Sequence, residues 1–398
     1  MKLYDFDTCV ERRNTDSEKW NCCTERFGTN EIIPLWVADM DFKTPDFVMD
    51  ALRKRMDHEI LGYAYRLDSF YESLKNWLKR RAGWEIDLSD LSFAPGIVPA
   101  FNFAVLAFTE PGDKILINSP VYHPFMYAIN DHGRTIVKNS LTLDDKGLYS
   151  IDFDDLEAKL AEGVKMYLFC SPHNPVGRVW TREELQRIGD LCVKYEVLLI
   201  SDEIHSDLIF RPHKHIHTAS LSESIARQTV TLLAPSKTFN LAGTSTSAIH
   251  TVNRRYLDAL NKLINSLHIT QGNIFGNVAF EAAYNFGDEW LEQLLVYLEG
   301  NFDYIIDYVD EHIPGIKIRK PEGTYLMWLD CRELGMNQQE LNTFMVQEAK
   351  LAMNPGTLFG DEGAGFMRLN AATPRSILRE AMLNLRNAVG RLPSHKHG

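Results

Sequence analysis

Three short runs in this chain place reactive side chains directly after stretches that read as β-strands. Ser171-Pro172-His173-Asn174-Pro175-Val176-Gly177 follows Lys165–Cys170, and Asp202-Glu203-Ile204-His205 follows Val197–Ser201. Ala234-Pro235-Ser236-Lys237-Thr238 follows Thr229–Leu233. An open α/β sheet binds its ligands outside the carboxyl ends of its strands, so an amide, a carboxylate and a lysine meet along one sheet edge. Upstream, Pro95-Gly96-Ile97-Val98 opens a helical stretch that runs to Phe108, and a helix start offers free backbone N–H groups to a phosphate. Alone, each feature has a plainer reading: a helix cap, a solvated loop lysine, a turn glycine. Together they describe a pocket for an anionic aromatic cofactor. Pyridoxal phosphate needs this set, namely a lysine for covalent attachment, an acid opposite the pyridine nitrogen and a phosphate cradle.

The elements that must hold these groups follow from hydrophobic periodicity. From about residue 90 to 285, short β-branched runs alternate with amphipathic helical stretches, the pattern of an α/β protein with a mainly parallel sheet. Strands are expected at Lys114–Asn118, Lys165–Cys170, Val197–Ser201 and Thr229–Leu233. Thr181 and Glu184 form a capping box for a helix whose apolar face carries Leu185, Ile188, Leu191, Cys192 and Tyr195. After residue 285 the pattern becomes α+β. A helix near Trp290–His312 precedes strands at Ile316–Ile318 and Thr324–Leu329, a helix near Asn337–Glu348, a strand at Phe366–Leu369 and a closing helix at Arg375–Arg391. These patterns predict a large α/β domain over 46–285 and a smaller α+β domain built from 1–45 and 286–398.

Composition narrows the function classes. The 398 residues are 45% hydrophobic and 24% charged, which excludes a disordered or fibrous chain. Acids outnumber bases 54 to 42, and the basic runs do not exceed Arg53-Lys54-Arg55 and Lys79-Arg80-Arg81, so no nucleic-acid partner is expected. The apolar stretch Ala100–Phe108 is far shorter than the roughly 20 residues a membrane span requires, so no membrane association is expected. The N-terminal residues carry Asp5 and Asp7 and lack the apolar core of a signal peptide. Cys9, Cys22, Cys23, Cys170, Cys192 and Cys331 show neither zinc spacing nor a disulfide framework, so no metal is expected and the cytoplasm is the expected compartment.

The motifs Ser171–Gly177, Asp202–His205 and Ser236-Lys237-Thr238-Phe239-Asn240 resemble the class I/II aminotransferase family of pyridoxal-phosphate enzymes of fold type I. The resemblance extends through Pro321-Glu322-Gly323-Thr324-Tyr325 to Phe366-Met367-Arg368-Leu369-Asn370. It implies a large domain with a mainly parallel seven-stranded sheet flanked by helices, plus a smaller domain. Leu35-Trp36-Val37-Ala38-Asp39-Met40-Asp41-Phe42 and Asp202-Glu203-Ile204-His205-Ser206-Asp207 further resemble the cystathionine β-lyase (C–S lyase) subgroup.

The resemblance implies roles residue by residue. Lys237 is the lysine that attaches the cofactor and, once freed, the base for the α-proton. Asp202 faces the pyridine nitrogen and keeps the ring an electron sink. Asn174 bonds the phenolic oxygen, and Tyr122, in Ser119-Pro120-Val121-Tyr122-His123, stacks on the ring and counts with Lys237 and Asp202 as catalytic. Gly96, Ile97 and Val98 offer backbone donors to the phosphate, Ser236 adds a hydroxyl, and Tyr63 reaches the phosphate of a neighbouring subunit in a homodimer with shared sites. Arg368 pairs with the α-carboxylate of an amino-acid substrate, and Ala38 is a second substrate-binding position. Two positions depart from the wider family: Ser245 stands where many relatives carry a phosphate-binding arginine, and His205 where others carry a tyrosine.

The implied reaction is cleavage of cystathionine or another cysteine S-conjugate to pyruvate, ammonia and a thiol, as in methionine biosynthesis. An aminotransferase shares the same first proton abstraction and stays open, as does a regulatory binding protein that retains the fold.

Overall fold

The computed structural model describes residues 2–393, so Met1 and residues 394–398 at the ends of the expected smaller domain lie outside it. Seven strands form the main sheet: β1 (Leu91–Ala94), β2 (Lys114–Ser119), β3 (Thr135–Ser140), β4 (Met166–Cys170), β5 (Leu198–Asp202), β6 (Thr229–Leu233) and β7 (Ser247–His250). Their spatial order is β1-β7-β6-β5-β4-β2-β3, and β7 alone runs against the rest. The sheet is buried on both faces. Along β4, Met166, Leu168 and Cys170 enter one apolar core while Tyr167 and Phe169 enter another, and β5 divides Leu198 and Ile200 from Leu199 in the same way. A strand buried on both sides reads as a nearly continuous apolar run, which is why β4 and β5 are legible in the sequence, while β6 is legible through its β-branched Thr229, Val230 and Thr231.

Helix α1 (Ile97–Phe108) covers one face with Ala100, Phe101, Phe103 and Ala104. Helix α2 (Arg182–Lys194) covers the other with Leu185, Ile188, Leu191 and Cys192, and its Thr181–Glu184 capping box is present. Sequence periodicity passes over β1, β3 and β7. Strand β3 lies at a sheet edge with Thr135, Lys138 and Ser140 among its residues, and β7 is a short antiparallel strand beginning with Ser247 and Ala248.

A second sheet contains β8 (Lys317–Ile318), β9 (Leu326–Asp330), β10 (Asn354–Pro355) and β11 (Phe366–Asn370), all antiparallel in the order β8-β9-β11-β10. Strand β9 starts two residues later than the pattern predicts because Thr324 adopts φ +69°, a left-handed turn that a strand does not accommodate. Helix α3 (Asp288–His312) and helix α4 (Arg375–Val389) pack on this sheet, and their core includes Phe6, Leu35, Met40 and Phe42. A parallel two-residue pairing of Ile33–Pro34 with Leu351–Ala352 ties the N-terminal segment to the same region. Among the described residues, no helix is long and apolar enough to cross a membrane.

Candidate active site

Strands β4, β5 and β6 are neighbours in register, with Cys170 opposite Asp202 and Asp202 opposite Leu232. Their carboxyl ends therefore deliver Asn174, Asp202 and Lys237 to one place. Arg368 arrives from the second sheet, on β11, and its Nη1 donates to Asn174 Oδ1 at 3.0 Å. The expected amide, acid, lysine and arginine thus converge where the two sheets meet.

Their electrostatics are unusual in that, among the described residues, Asp202, Lys237 and Arg368 have no ion-pair partner. Asp202 is 2% exposed, and its one side-chain hydrogen bond is accepted by Oδ1 from the Ile204 N–H at 3.1 Å. Burial pushes its carboxyl up to about 7, with the Ile204 bond and the Lys237 charge opposing and Glu203 adding to the rise. Burial, followed by the charge of Arg368, pushes Lys237 down to about 8. The lysine Nζ donates to the Ala38 carbonyl at 2.6 Å. Arg368 is 3% exposed and burial pulls it down to about 10. Its Nη2 donates to Trp36 O at 2.9 Å, its guanidinium lies 4.7 Å from the Phe359 ring centre, and its Nε has no partner. Tyr122 sits within reach of both charges: burial and then Asp202 push its hydroxyl up to about 12, and Arg368 opposes this.

Helix α1 begins at Ile97, with Gly96 at φ +134° as its cap and no side chain capping it. The Gly96 N–H is taken by Ser247 Oγ at 3.2 Å, which leaves the first-turn N–H groups of Ile97 and Val98 for a ligand. Ser236 lies beside Lys237, half-buried. Tyr63 is 94% exposed and reaches no part of this pocket within its own chain. Ser245 is exposed in a left-handed turn. His205 makes no hydrogen bond to Asp202; its Nδ1 has no partner, its ring meets Tyr325 edge-on at 6.0 Å, and burial holds it well below its usual range.

Several contributors escape sequence reasoning. Tyr325 donates its hydroxyl to Ala38 O at 2.7 Å, so that carbonyl accepts from both Tyr325 and Lys237. Behind Asp202, Glu203 is fully buried; its Oε2 accepts from His215 at 3.0 Å and His217 at 2.5 Å, and its Oε1 from Ser201 Oγ at 2.7 Å and Thr218 N at 3.1 Å. Burial opposes charge on Glu203, but the two imidazoles hold its carboxyl well below the usual range. These three groups are close enough to hold a metal ion, yet they already saturate one another. Histidines ten and more residues downstream of a strand carry no local signal of this pairing.

A half-buried lysine beside an unpaired acid and an unpaired arginine, where the strand ends of a seven-stranded sheet meet a second sheet, defines an enzyme of the pyridoxal-phosphate fold type I class. The chain belongs to the aminotransferase class I and II family, whose profile matches residues 30–384. It is 40% identical over 385 residues to cystathionine beta-lyase PatB of Bacillus subtilis, covering 96% of this chain and 99% of that protein. It is 33% identical over 390 residues to protein MalY of Escherichia coli, covering 97% and 99%. Among solved structures it resembles cystalysin from Treponema denticola, which contains a pyridoxal 5'-phosphate cofactor, with a TM-score of 0.96 and 38% identity over 98% of this chain and 100% of that one.

Proposed function

We propose that the protein is a pyridoxal-phosphate-dependent C–S β-lyase that cleaves cystathionine or a related cysteine S-conjugate to pyruvate, ammonia and a thiol. The residues present fit the cofactor. Asp202 is a buried carboxylate bonded to no cationic side chain, which suits a protonated pyridine nitrogen. Lys237, lowered toward neutrality, suits covalent attachment, and the start of α1 supplies phosphate donors. Asn174 and Tyr122 would hold the ring oxygen and face. When bound, the cofactor supplies an electron sink for negative charge at the substrate Cα.

This chain's own residues do the rest. Arg368, with Nε free and no carboxylate partner, receives the α-carboxylate. Lys237 Nζ takes the α-proton. Sulfur departs as a thiolate, which needs little acid assistance because thiols have pKa values of about 8.5.

The observation that carries the lyase reading over a dicarboxylate transaminase is the fate of Arg12, the arginine that holds the turn after Ala38. Arg12 is consumed by Asp39 and Asp41, which leaves Arg368 as the free guanidinium at the site among the described residues. The test supplies cystathionine without any keto acid and assays pyruvate and thiol. Sustained release of both is expected; stalling relieved only by added 2-oxoglutarate or pyruvate would assign a transaminase instead.

The same proposal includes a homodimer and the two-domain division at 46–285 against 1–45 with 286–398. The segment between helices that carries Ile60, Leu61, Tyr63, Tyr65 and Leu67 leaves these apolar and aromatic side chains 62–94% exposed, more than a free chain normally shows in one stretch. A partner subunit would cover it and take Tyr63 to its phosphate site. Six free cysteines suit the cytoplasm, and methionine biosynthesis is the setting a cystathionine lyase would serve.

A further inference from the structure

The run Trp36-Val37-Ala38-Asp39-Met40-Asp41 has no helix or strand to fix it, yet the site depends on its carbonyls. Trp36 O accepts from Arg368 Nη2, and Ala38 O accepts from Lys237 and Tyr325. Side chains hold this backbone from two sides. On the inner side, Asn370 Nδ2 donates to Val37 O at 2.7 Å and Asp39 O at 2.6 Å, Asn354 Nδ2 to Trp36 O at 2.8 Å and Asn240 Nδ2 to Met40 O at 2.9 Å. On the outer side stand two cations from the N-terminal arm. Arg12 Nη2 meets Asp39 Oδ2 at 2.6 Å, and its Nη1 reaches Asp39 Oδ1 at 3.1 Å, Met40 O at 3.1 Å and Asp41 Oδ1 at 2.7 Å. Lys19, fully buried, meets Asp41 Oδ2 at 2.5 Å, and the Trp20 indole donates to Asp41 Oδ1 at 3.0 Å.

One planar guanidinium therefore grips both carboxylates of the Asp-Met-Asp turn and the carbonyl between them. A lysine could not reproduce this, because its point charge lacks the fixed fork. We infer that Arg12 is a positioning residue for the substrate's α-carboxylate: by folding residues 39–41 it fixes where the Trp36 carbonyl stands, and so where Arg368 points. The inference rests on the proposed reading of Arg368, but the carboxylate end of the substrate is common to lyase and transaminase. The Leu35–Phe42 motif then has a physical purpose, since both of its aspartates anchor the turn.

The test compares wild type, Arg12→Met and Arg12→Lys as holoenzymes. The primary readout is the dissociation constant of 2-aminoisobutyrate, an amino acid without an α-proton, followed by the visible spectrum of the bound cofactor; steady-state KM and kcat and hydrogen exchange of the peptide spanning 35–42 accompany it. Arg12→Met should weaken binding and raise KM about 10-fold or more, change kcat little, and speed exchange in 35–42 while leaving β5 and β6 protected. Arg12→Lys should fall between. If Arg12→Met does not fold, Asp39→Asn, which leaves the Arg12–Asp41 pair, should still weaken binding about threefold. A lower melting temperature with unchanged affinity, or a fall in kcat alone, would overturn the inference. Unchanged wild-type inactivity toward every amino acid would instead defeat the proposed reaction, while the 2-aminoisobutyrate comparison would still decide the role of Arg12.

Discussion

Replacing Asp202 with asparagine should stabilise the cofactor-free protein while disabling the enzyme. The carboxyl of Asp202 moves from an ordinary 3.8 to about 7 on folding, because burial removes water from the anion and one backbone N–H replaces it. At 1.36 kcal/mol per pH unit, the charged form is penalised by about 4 kcal/mol in the folded state. The sign follows from proton counting. Between pH 4 and 7 the folded state holds a proton that the unfolded state has lost, so this residue's contribution to stability falls as pH rises and is fully unfavourable above 7. Other buried groups titrate as well, among them His123, His173 and His250, each pushed down to about 4 by burial. The difference between wild type and Asp202→Asn cancels their contribution. Urea unfolding of both apoproteins at pH 5 and pH 8 should show the variant's advantage widening by about 3 kcal/mol over that interval. Saturating cofactor should then stabilise wild type more than the variant, reversing the gap, while turnover falls by about 100-fold or more. A stability difference that stays constant from pH 5 to pH 8 would show that Asp202 is not charge-penalised, and the electron-sink reading of its environment would fail with it.

Lys237→Ala should abolish turnover and remove the site at which borohydride fixes cofactor to the chain, read by peptide mapping of the reduced holoenzyme. Arg368→Ala should raise KM for the amino acid about 100-fold, because it removes a charge-assisted pair in a buried setting, whereas the cofactor's absorbance should remain. Leu61→Asp should shift the light-scattering mass from dimer to monomer and lower activity; a fully active monomer would refute both the dimer and the role of Tyr63. Glu203→Ala should cost about 3–5 kcal/mol in chemical unfolding, since it leaves the buried imidazoles of His215 and His217 without their shared acceptor.

The legible part of this fold is the part buried on both sides. Strands β4, β5 and β6 are legible in the sequence, and the residues at or just beyond their ends, Asn174, Asp202 and Lys237, inherit a predictable position from the geometry of open sheets. Arg368 was readable only through family resemblance, because nothing local distinguishes a site arginine on β11 from one in an ion pair. The Gly96 assignment shows a finer limit: the glycine does cap α1, but its own N–H is claimed by Ser247, 151 residues away. Arg12 illustrates the same blindness, since its partners lie 27 and 29 residues downstream in irregular backbone. Local periodicity carries no information about such long-range polar pairings, and they are what finishes a site.

The pocket is built from charges that the fold declines to satisfy. Asp202, Lys237 and Arg368 are each pushed toward neutrality by burial, and none is ion-paired with another, although all three lie within electrostatic range. By contrast, the charges just outside the pocket are fully matched: Arg12 and Lys19 with Asp39 and Asp41, Glu203 with two histidines, and Arg178 with Glu184 and Glu322. Burial without pairing is expensive, so its concentration in Asp202, Lys237 and Arg368, where the two sheets meet, is the physical mark of a site awaiting ligands of opposite charge. In the proposed reading a cationic ring nitrogen would relieve Asp202, covalent attachment would consume the lysine amine, and a substrate carboxylate would relieve Arg368. Each binding event thereby recovers free energy that folding had left unspent, and the matched outer shell keeps the three groups from relieving one another first.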